Sequence, residues 1–269
     1  MRSRILTLLV AVVLSLVAVP FALAVGGTAS AQTDDLPAVE KPATADDIAP
    51  VEVTDEAEPP RAALSGIDFA AAQAADVPVS VLQMALDAVQ CGVASGDLAA
   101  PPTLTLIDYS RPSTQPRLWV FDLHSGALLF HELVAHGKGT GENLAEHFSD
   151  DMNSHQTSLG LFVTRDTYVG RNGYSLRLEG LEPGFNGRAM ERAVVMHGAP
   201  YVSEDFATKQ GRLGRSWGCP ALREAVAHQV IDTVRGGGVI FSYYPDEKWL
   251  TASRFLNCAA RSQNTVATN

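Results

Sequence analysis

Apolar and polar positions change their period along this chain. Val81, Leu82, Ala85, Leu86 and Val89 share one helical face, so the spacing predicts a helix over 79–91, with Pro78 near its start and Gly92 just after its end. From residue 104 the pattern becomes that of strands. Runs at 104–109, 117–122 and 127–134 read as strands, with His124, Ser125 and Gly126 as a hairpin turn. Further short strands fit 159–164, 175–178, 193–196 and 239–243, with turn chemistry at Asn172-Gly173 and Asn186-Gly187. Leu222, Val226, Val230 and Val234 lie four apart and predict a last helix over 221–235, opened by Pro220 and stopped by Gly236, Gly237 and Gly238. Many short strands with few helices make the fold mainly β, a sandwich or barrel preceded by a short helical segment. The stretch 137–158 is long, polar and glycine-rich, and reads as a lid or substrate rim.

The N-terminal part is a different material. Met1 to Arg4 is basic, Ile5 to Val19 is apolar, and Ala29, Ser30 and Ala31 are small. That is the layout of a secretory signal peptide cut after Ala31, with Ala22-Leu23-Ala24 as an alternative site; the competing reading is an uncleaved anchor, for which the apolar run is short. Export places the mature protein in the periplasm or cell envelope, with no membrane span once the signal is removed. Residues 32–61 then carry nine acidic side chains against Lys41 and Arg61, which accounts for seven of the ten net negative charges of the chain. With five prolines and no aromatic residue, this segment buries too little apolar surface to offset its ordering entropy, so it reads as a disordered acidic linker. The expected organisation is a signal peptide at 1–31, the linker at 32–63, a helical preface at 64–100, a catalytic domain at 101–258 and a flexible tail at 259–269. No clustered basic patch points to nucleic acid.

Within the folded part, one stretch concentrates chemistry. His197 leaves the apolar run Ala193 to Met196, and Cys219 follows in the sequence Ser216-Trp217-Gly218-Cys219-Pro220. A histidine that takes a thiol proton, leaving a thiolate to attack a carbonyl, is nucleophilic catalysis. With Pro220 opening a helix, Cys219 would sit at a helix N-terminus, where the dipole lowers a thiol pKa. The backbone N–H groups of Trp217, Gly218 and Cys219 are candidates for an oxyanion hole. The plainer reading is a buried structural cysteine beside a core histidine.

Three cysteines in an exported chain suggest one disulfide, Cys91–Cys258, with Cys219 left as the free thiol; a bridge that uses Cys219 is the competing arrangement. In the chain-entropy account, closing so long a loop stabilises by at most about 5 kcal/mol. The seven histidines form no metal-binding spacing, so no metal and no cofactor are expected. His131 and His136, an odd number of residues apart on one predicted strand, should face opposite ways. His136 ends that strand where the long loop begins, and either lines a cleft or is a satisfied strand-end histidine.

These residues resemble the L,D-transpeptidase (YkuD-type) peptidoglycan enzymes, in which a His-Gly on a strand is followed by Ser/Thr-His-Gly-Cys. The likeness includes Leu133 to Gly137, Ser158 to Phe162, Leu178 to Gly184, His197 to Ser203 and Gly214 to Pro220, and is nearest to a murein L,D-transpeptidase catalytic-domain branch carrying S-W-G-C-P. The resemblance implies an L,D-transpeptidase-like β domain in which Cys219 forms a thioester with a peptidoglycan stem peptide and passes it to an amine, or to water as a carboxypeptidase. It implies His197 as base, Gly198 as the group orienting it, and carbapenem-type inhibitors as ligands. His136, Tyr201, Arg215 and Ser216 are the expected substrate-binding positions, and Arg212 and Arg215 would suit a substrate carboxylate. Trp217 departs from the family pattern, standing where a second histidine is usual. The alternatives are another cell-wall thiol enzyme, sortase-like or amidase-like, and a non-catalytic peptidoglycan-binding or envelope protein with a vestigial site.

Overall fold

A computed structural model describes residues 66–258 apart from Asp68. The expected signal peptide, the acidic linker and the C-terminal tail lie outside the described residues.

Two helices open the described chain, α1 (Phe69–Ala74) and α2 (Val79–Ala94). The expected stop at Gly92 is overrun: the helix continues to Ala94, and a side chain at Gly92 would meet Leu98 Cδ1 at 2.5 Å. Here close packing, rather than a cap, accounts for the glycine. Nine strands follow: β1 (Thr103–Asp108), β2 (Leu118–Asp122), β3 (Leu128–Glu132), β4 (Val134–Ala135), β5 (Gly160–Gly170), β6 (Gly173–Gly180), β7 (Val195–Gly198), β8 (Ala221–Leu222) and β9 (Val239–Tyr243). Three helices, α3 (Glu204–Gln210), α4 (Glu224–Val234) and α5 (Glu247–Ala252), lie among and after them.

The strands form one sheet in the order β3-β2-β1-β9-β5-β6-β7-β8-β4. β3 and β4 occupy opposite ends of that order, yet only Leu133 separates them in the chain. The sheet must therefore curl until its two ends meet, and the result is a mainly β, nearly closed barrel with few helices. Arg223, just past β8, ties the seam with a two-pronged ion pair to Glu132 of β3, at 2.8 and 2.7 Å. The expectation that His131 and His136 share one strand is corrected, because Leu133 interrupts it at this seam.

Both faces of the central strands are covered, which is why their burial does not alternate. Leu104, Leu106, Trp119, Phe121, Leu161, Val163, Val239 and Phe241 point to a core shared with α2 and Trp249. Their neighbours Ile107, Leu118, Val120, Phe162 and Ile240 point to a second core with Leu176, Met196 and the α4 residues Val230, Ile231 and Val234. Each such side chain withdrawn from water stabilises the fold by about 1.5–3 kcal/mol. Cys91 of α2 is bonded to Cys258, with Cα atoms 5.9 Å apart, and Cys219 is the free cysteine.

One expectation fails where it matters most. The predicted helix over 221–235 begins only at Glu224, and Ala221–Leu222 is instead a strand. Leu222 continues the four-residue spacing of the helix, but it pairs with Gly198 of β7 and Val134 of β4, and closing the barrel requires a strand there.

Candidate active site

β7 carries His197 and runs parallel to β8, with His197 opposite Ala221. Cys219 stands two residues before Ala221, so this pairing sets the thiol beside the start of β7. Val195 N–H donates to Cys219 Sγ at 3.4 Å, and the thiol reaches the Ala193 carbonyl at 3.9 Å, a long contact. Ala193 adopts a left-handed backbone, φ 54°, a strained state for a residue with a side chain, and it turns that carbonyl toward the sulfur.

The protonation states follow from neighbours. His197 is buried, and its Nδ1 lies 2.9 Å from the Gly198 carbonyl. A carbonyl only accepts, so Nδ1 carries the proton and Nε2 keeps its lone pair in the neutral ring. Burial lowers the His197 pKa, against a smaller opposing effect of the Gly198 contact. Cys219 is partly exposed as a residue, yet packed closely enough that burial pushes its thiol pKa up, with Val195 N–H and Arg192 acting in the opposite direction. Both shifts favour the uncharged forms, a thiol and a neutral imidazole. The expected lowering by a helix terminus is corrected, since the helix starts beyond Arg223 and its dipole falls off within a turn.

The turn around the thiol is shaped by Ser216. Its hydroxyl donates to the Cys219 carbonyl at 2.6 Å and accepts the Gly218 N–H at 3.1 Å. Of the three expected oxyanion donors, Gly218 is therefore already engaged, whereas Trp217 and Cys219 N–H have no partner among the described residues. Ser216 is buried and builds the turn; it does not present its hydroxyl to a substrate. Gly218 has φ 120°, and a Cβ there would lie 2.8 Å from the Gln156 carbonyl. Only glycine fits.

The 137–158 segment borders this turn. Gly137 pairs with Ser216 as an isolated bridge, and Lys138 N–H donates to the Ser216 carbonyl at 2.8 Å. Trp217 lies between His155, ring centroids 4.4 Å apart, and Lys138 Nζ, 4.7 Å from its centroid. An open cleft of about 480 Å³ is lined by Lys138, Glu142, Asn143, Glu146 and Arg215; Cys219 and His197 do not line it.

The other expected site residues separate. His136 is 1% exposed and wholly internal. Arg117 Nη2 donates to its Nδ1 at 2.8 Å and Nε2 faces the Gly141 carbonyl at 3.3 Å, so it is the satisfied strand-end histidine and supports the loop from behind. Burial and the Arg117 charge lower its pKa to about 4. Arg215 and Arg212 reach the cleft rim, but both hold Glu142, at 2.7 and 2.8 Å, so neither guanidinium is free of a counter-charge. Tyr201 packs on Gly214 near the thiol, and burial raises its phenol pKa. Two residues of the neighbourhood escaped the sequence reading. Tyr109 directly follows β1 beneath the turn, its pKa raised by burial, and Arg192 is packed between the long loop and Gly218. Their placement depends on contacts far apart in the chain.

The family model described as L,D-transpeptidase catalytic domain matches residues 73–243, more than half of the chain. No curated protein matches. Among solved structures, an L,D-transpeptidase from Mycobacterium smegmatis is 16% identical over 53% of this chain and 59% of that one, with a TM-score of 0.35. An L,D-transpeptidase from Stackebrandtia nassauensis is 16% identical over 60% and 66%, with a TM-score of 0.34. A complex of an L,D-transpeptidase with imipenem is 18% identical over 52% and 58%, with a TM-score of 0.32. The chain thus spans about three fifths of the length of the first solved structures it matches.

Proposed function

The chain belongs to the L,D-transpeptidase catalytic-domain family, and on that premise we propose that it is an exported peptidoglycan L,D-transpeptidase with Cys219 as nucleophile. The observation that carries this reading is the His197 Nδ1 contact with Gly198, which leaves a bare Nε2 on the strand beside the cysteine turn. In the proposed first step His197 Nε2 takes the thiol proton and Sγ bonds to the carbonyl carbon of a stem peptide. The N–H groups of Trp217 and Cys219 receive the oxyanion. The intermediate collapses, the amide C–N bond breaks, His197 returns the proton to the leaving amine, and a thioester remains. An amine of a second stem attacks that thioester with His197 again as base, which forms the cross-link and restores the thiol; water in its place gives the free acid. His197 neutral and Cys219 protonated at rest suit this order, because the proton moves only as attack begins. A carbapenem would enter as an acylating mimic of the donor.

The test is a purified tetrapeptide stem incubated with the protein, with and without an amine acceptor. Release of the terminal D-amino acid that disappears in Cys219→Ala supports the reading. No release from folded protein with a free thiol overturns it. A second reading, a non-catalytic peptidoglycan-binding protein, is favoured by one observation: the described hydrogen bonds of the sulfur go to Val195 and Ala193 and not to His197. Catalytic contacts are often loose before substrate binds, so this weighs less than the oriented imidazole.

A further inference from the structure

A buried thiol with no helix behind it needs another source of positive potential if it is to react as a thiolate. Arg192 lies just ahead of β7, and its side chain is 4% exposed. Its guanidinium donates to the Ser149 carbonyl at 2.8 Å, the Gln156 carbonyl at 2.6 Å and Ser154 Oγ at 3.2 Å, and also to Ser158 Oγ. All of these accept hydrogen bonds without cancelling the charge. The carboxylate it approaches, Asp150, stands off at 3.8 Å. On its other side Nη2 would lie 3.3 Å from a Cβ on Gly218, the residue before Cys219. The residue after it, Ala193, turns its carbonyl to the sulfur.

At rest the remaining groups around the thiol do not supply that charge. Burial disfavours the charged form of His197 on β7, which becomes cationic only as it takes the thiol proton, and Tyr109 and Tyr201 have raised pKa values to which the cysteine charge itself contributes. Lys138 and His155 stand across Trp217, and Asp150, Asp151 and Arg188 act on Arg192.

We infer that Arg192 is a positioning residue that acts through Cys219: it holds the 149–158 segment against the cysteine turn and supplies the positive field that stabilises the thiolate. This rests on the reading of Cys219 as the reacting group.

The experiment is the pH dependence of Cys219 alkylation by iodoacetamide in the whole chain. Arg192→Gln should move the midpoint up by about one pH unit or more, which slows alkylation near neutral pH about tenfold. Arg192→Lys should recover most of that rate. Asp150→Asn, which removes the opposing carboxylate, should move the midpoint down and so decides the matter even where Arg192→Gln does not fold. A lowered melting temperature with an unmoved midpoint, or an Asp150→Asn midpoint that stays put or rises, would overturn the inference and leave Arg192 a loop clamp. Alkylation needs no stem peptide. A midpoint that moves as expected without D-amino acid release refutes the transpeptidase reading alone, and Cys219-dependent release with an unmoved midpoint refutes the Arg192 inference alone.

Discussion

The β1-β9-β5 centre of the sheet and the β7-β8-β4 end are built by different means. In the centre, strands of five to eleven residues satisfy their backbones by ladder pairing, and β1, β9 and the first five residues of β5 bury both faces. Even the turn beside it is tied to the ladder, with Glu182 accepting Leu161 N–H at 2.8 Å and Trp249 Nε1 at 3.2 Å. At the other end β8 and β4 have two residues each, and the pairing runs out just where Cys219 sits. Guanidinium groups take over there. Arg117, with its pKa lowered by burial to about 10, donates to the Val134 and Arg111 carbonyls, and Arg192 donates to those of Ser149 and Gln156. Long ladders give rigidity. Their interruption leaves backbone N–H groups, those of Trp217 and Cys219, without a partner among the described residues, where a continuous ladder would have used them.

Changes at the two ends should separate chemistry from stability. The largest effect is that of Cys219→Ala, which should reduce D-amino acid release to background while urea unfolding stays within about 1 kcal/mol of the parent. Gly218→Ala should come next. Its methyl has no room against Gln156 and its φ of 120° strains any side chain, so the turn must shift; a displacement near 1 Å costs about a hundredfold in kcat/KM, while the strain costs about 1 kcal/mol of stability. Glu182→Ala should do the reverse. It strands the buried Leu161 and Trp249 donors and should cost about 2–4 kcal/mol in urea unfolding, while the folded fraction keeps its specific activity. Equal losses of activity and stability in either of these last two variants would break the comparison.

The sequence showed the central region better than the site, and particular residues explain why. The runs at 104–109, 117–122 and 239–243 are buried on both faces and read correctly from composition alone. Pro220 and Leu222 misled because they satisfy helix rules locally while the barrel seam, a contact between chain segments about 90 residues apart (Glu132 with Arg223), demands a strand. That the Cys219 turn comes to lie beside the strand of His197 and Gly198 was legible through their order in the chain. The engagement of Gly218 N–H by Ser216, the Glu142 partner of Arg212 and Arg215, and the burial of His136 on Arg117 were not, since each depends on the folded path of the 137–158 loop or of the turn. Arg192 gave no local signal.

The smallest expected effect concerns pH. His197 must be neutral to act as base, and burial lowers its pKa. Activity should therefore rise with pH along an acid limb whose midpoint lies below the ordinary histidine value of about 6.5, and should persist into mildly acidic solution. A midpoint above that value in the pH profile of kcat/KM would mean that His197 is paired with an anion and that the resting thiol is ionised.

The most direct test of the central claim is intact mass after exposure to a meropenem-like carbapenem, followed by peptide mapping of the adduct. A single covalent addition on the peptide containing Cys219, absent from Cys219→Ala, is the predicted result. Folded, reduced protein that stays unmodified, or an adduct on another residue, would contradict the assignment of Cys219 as the nucleophile.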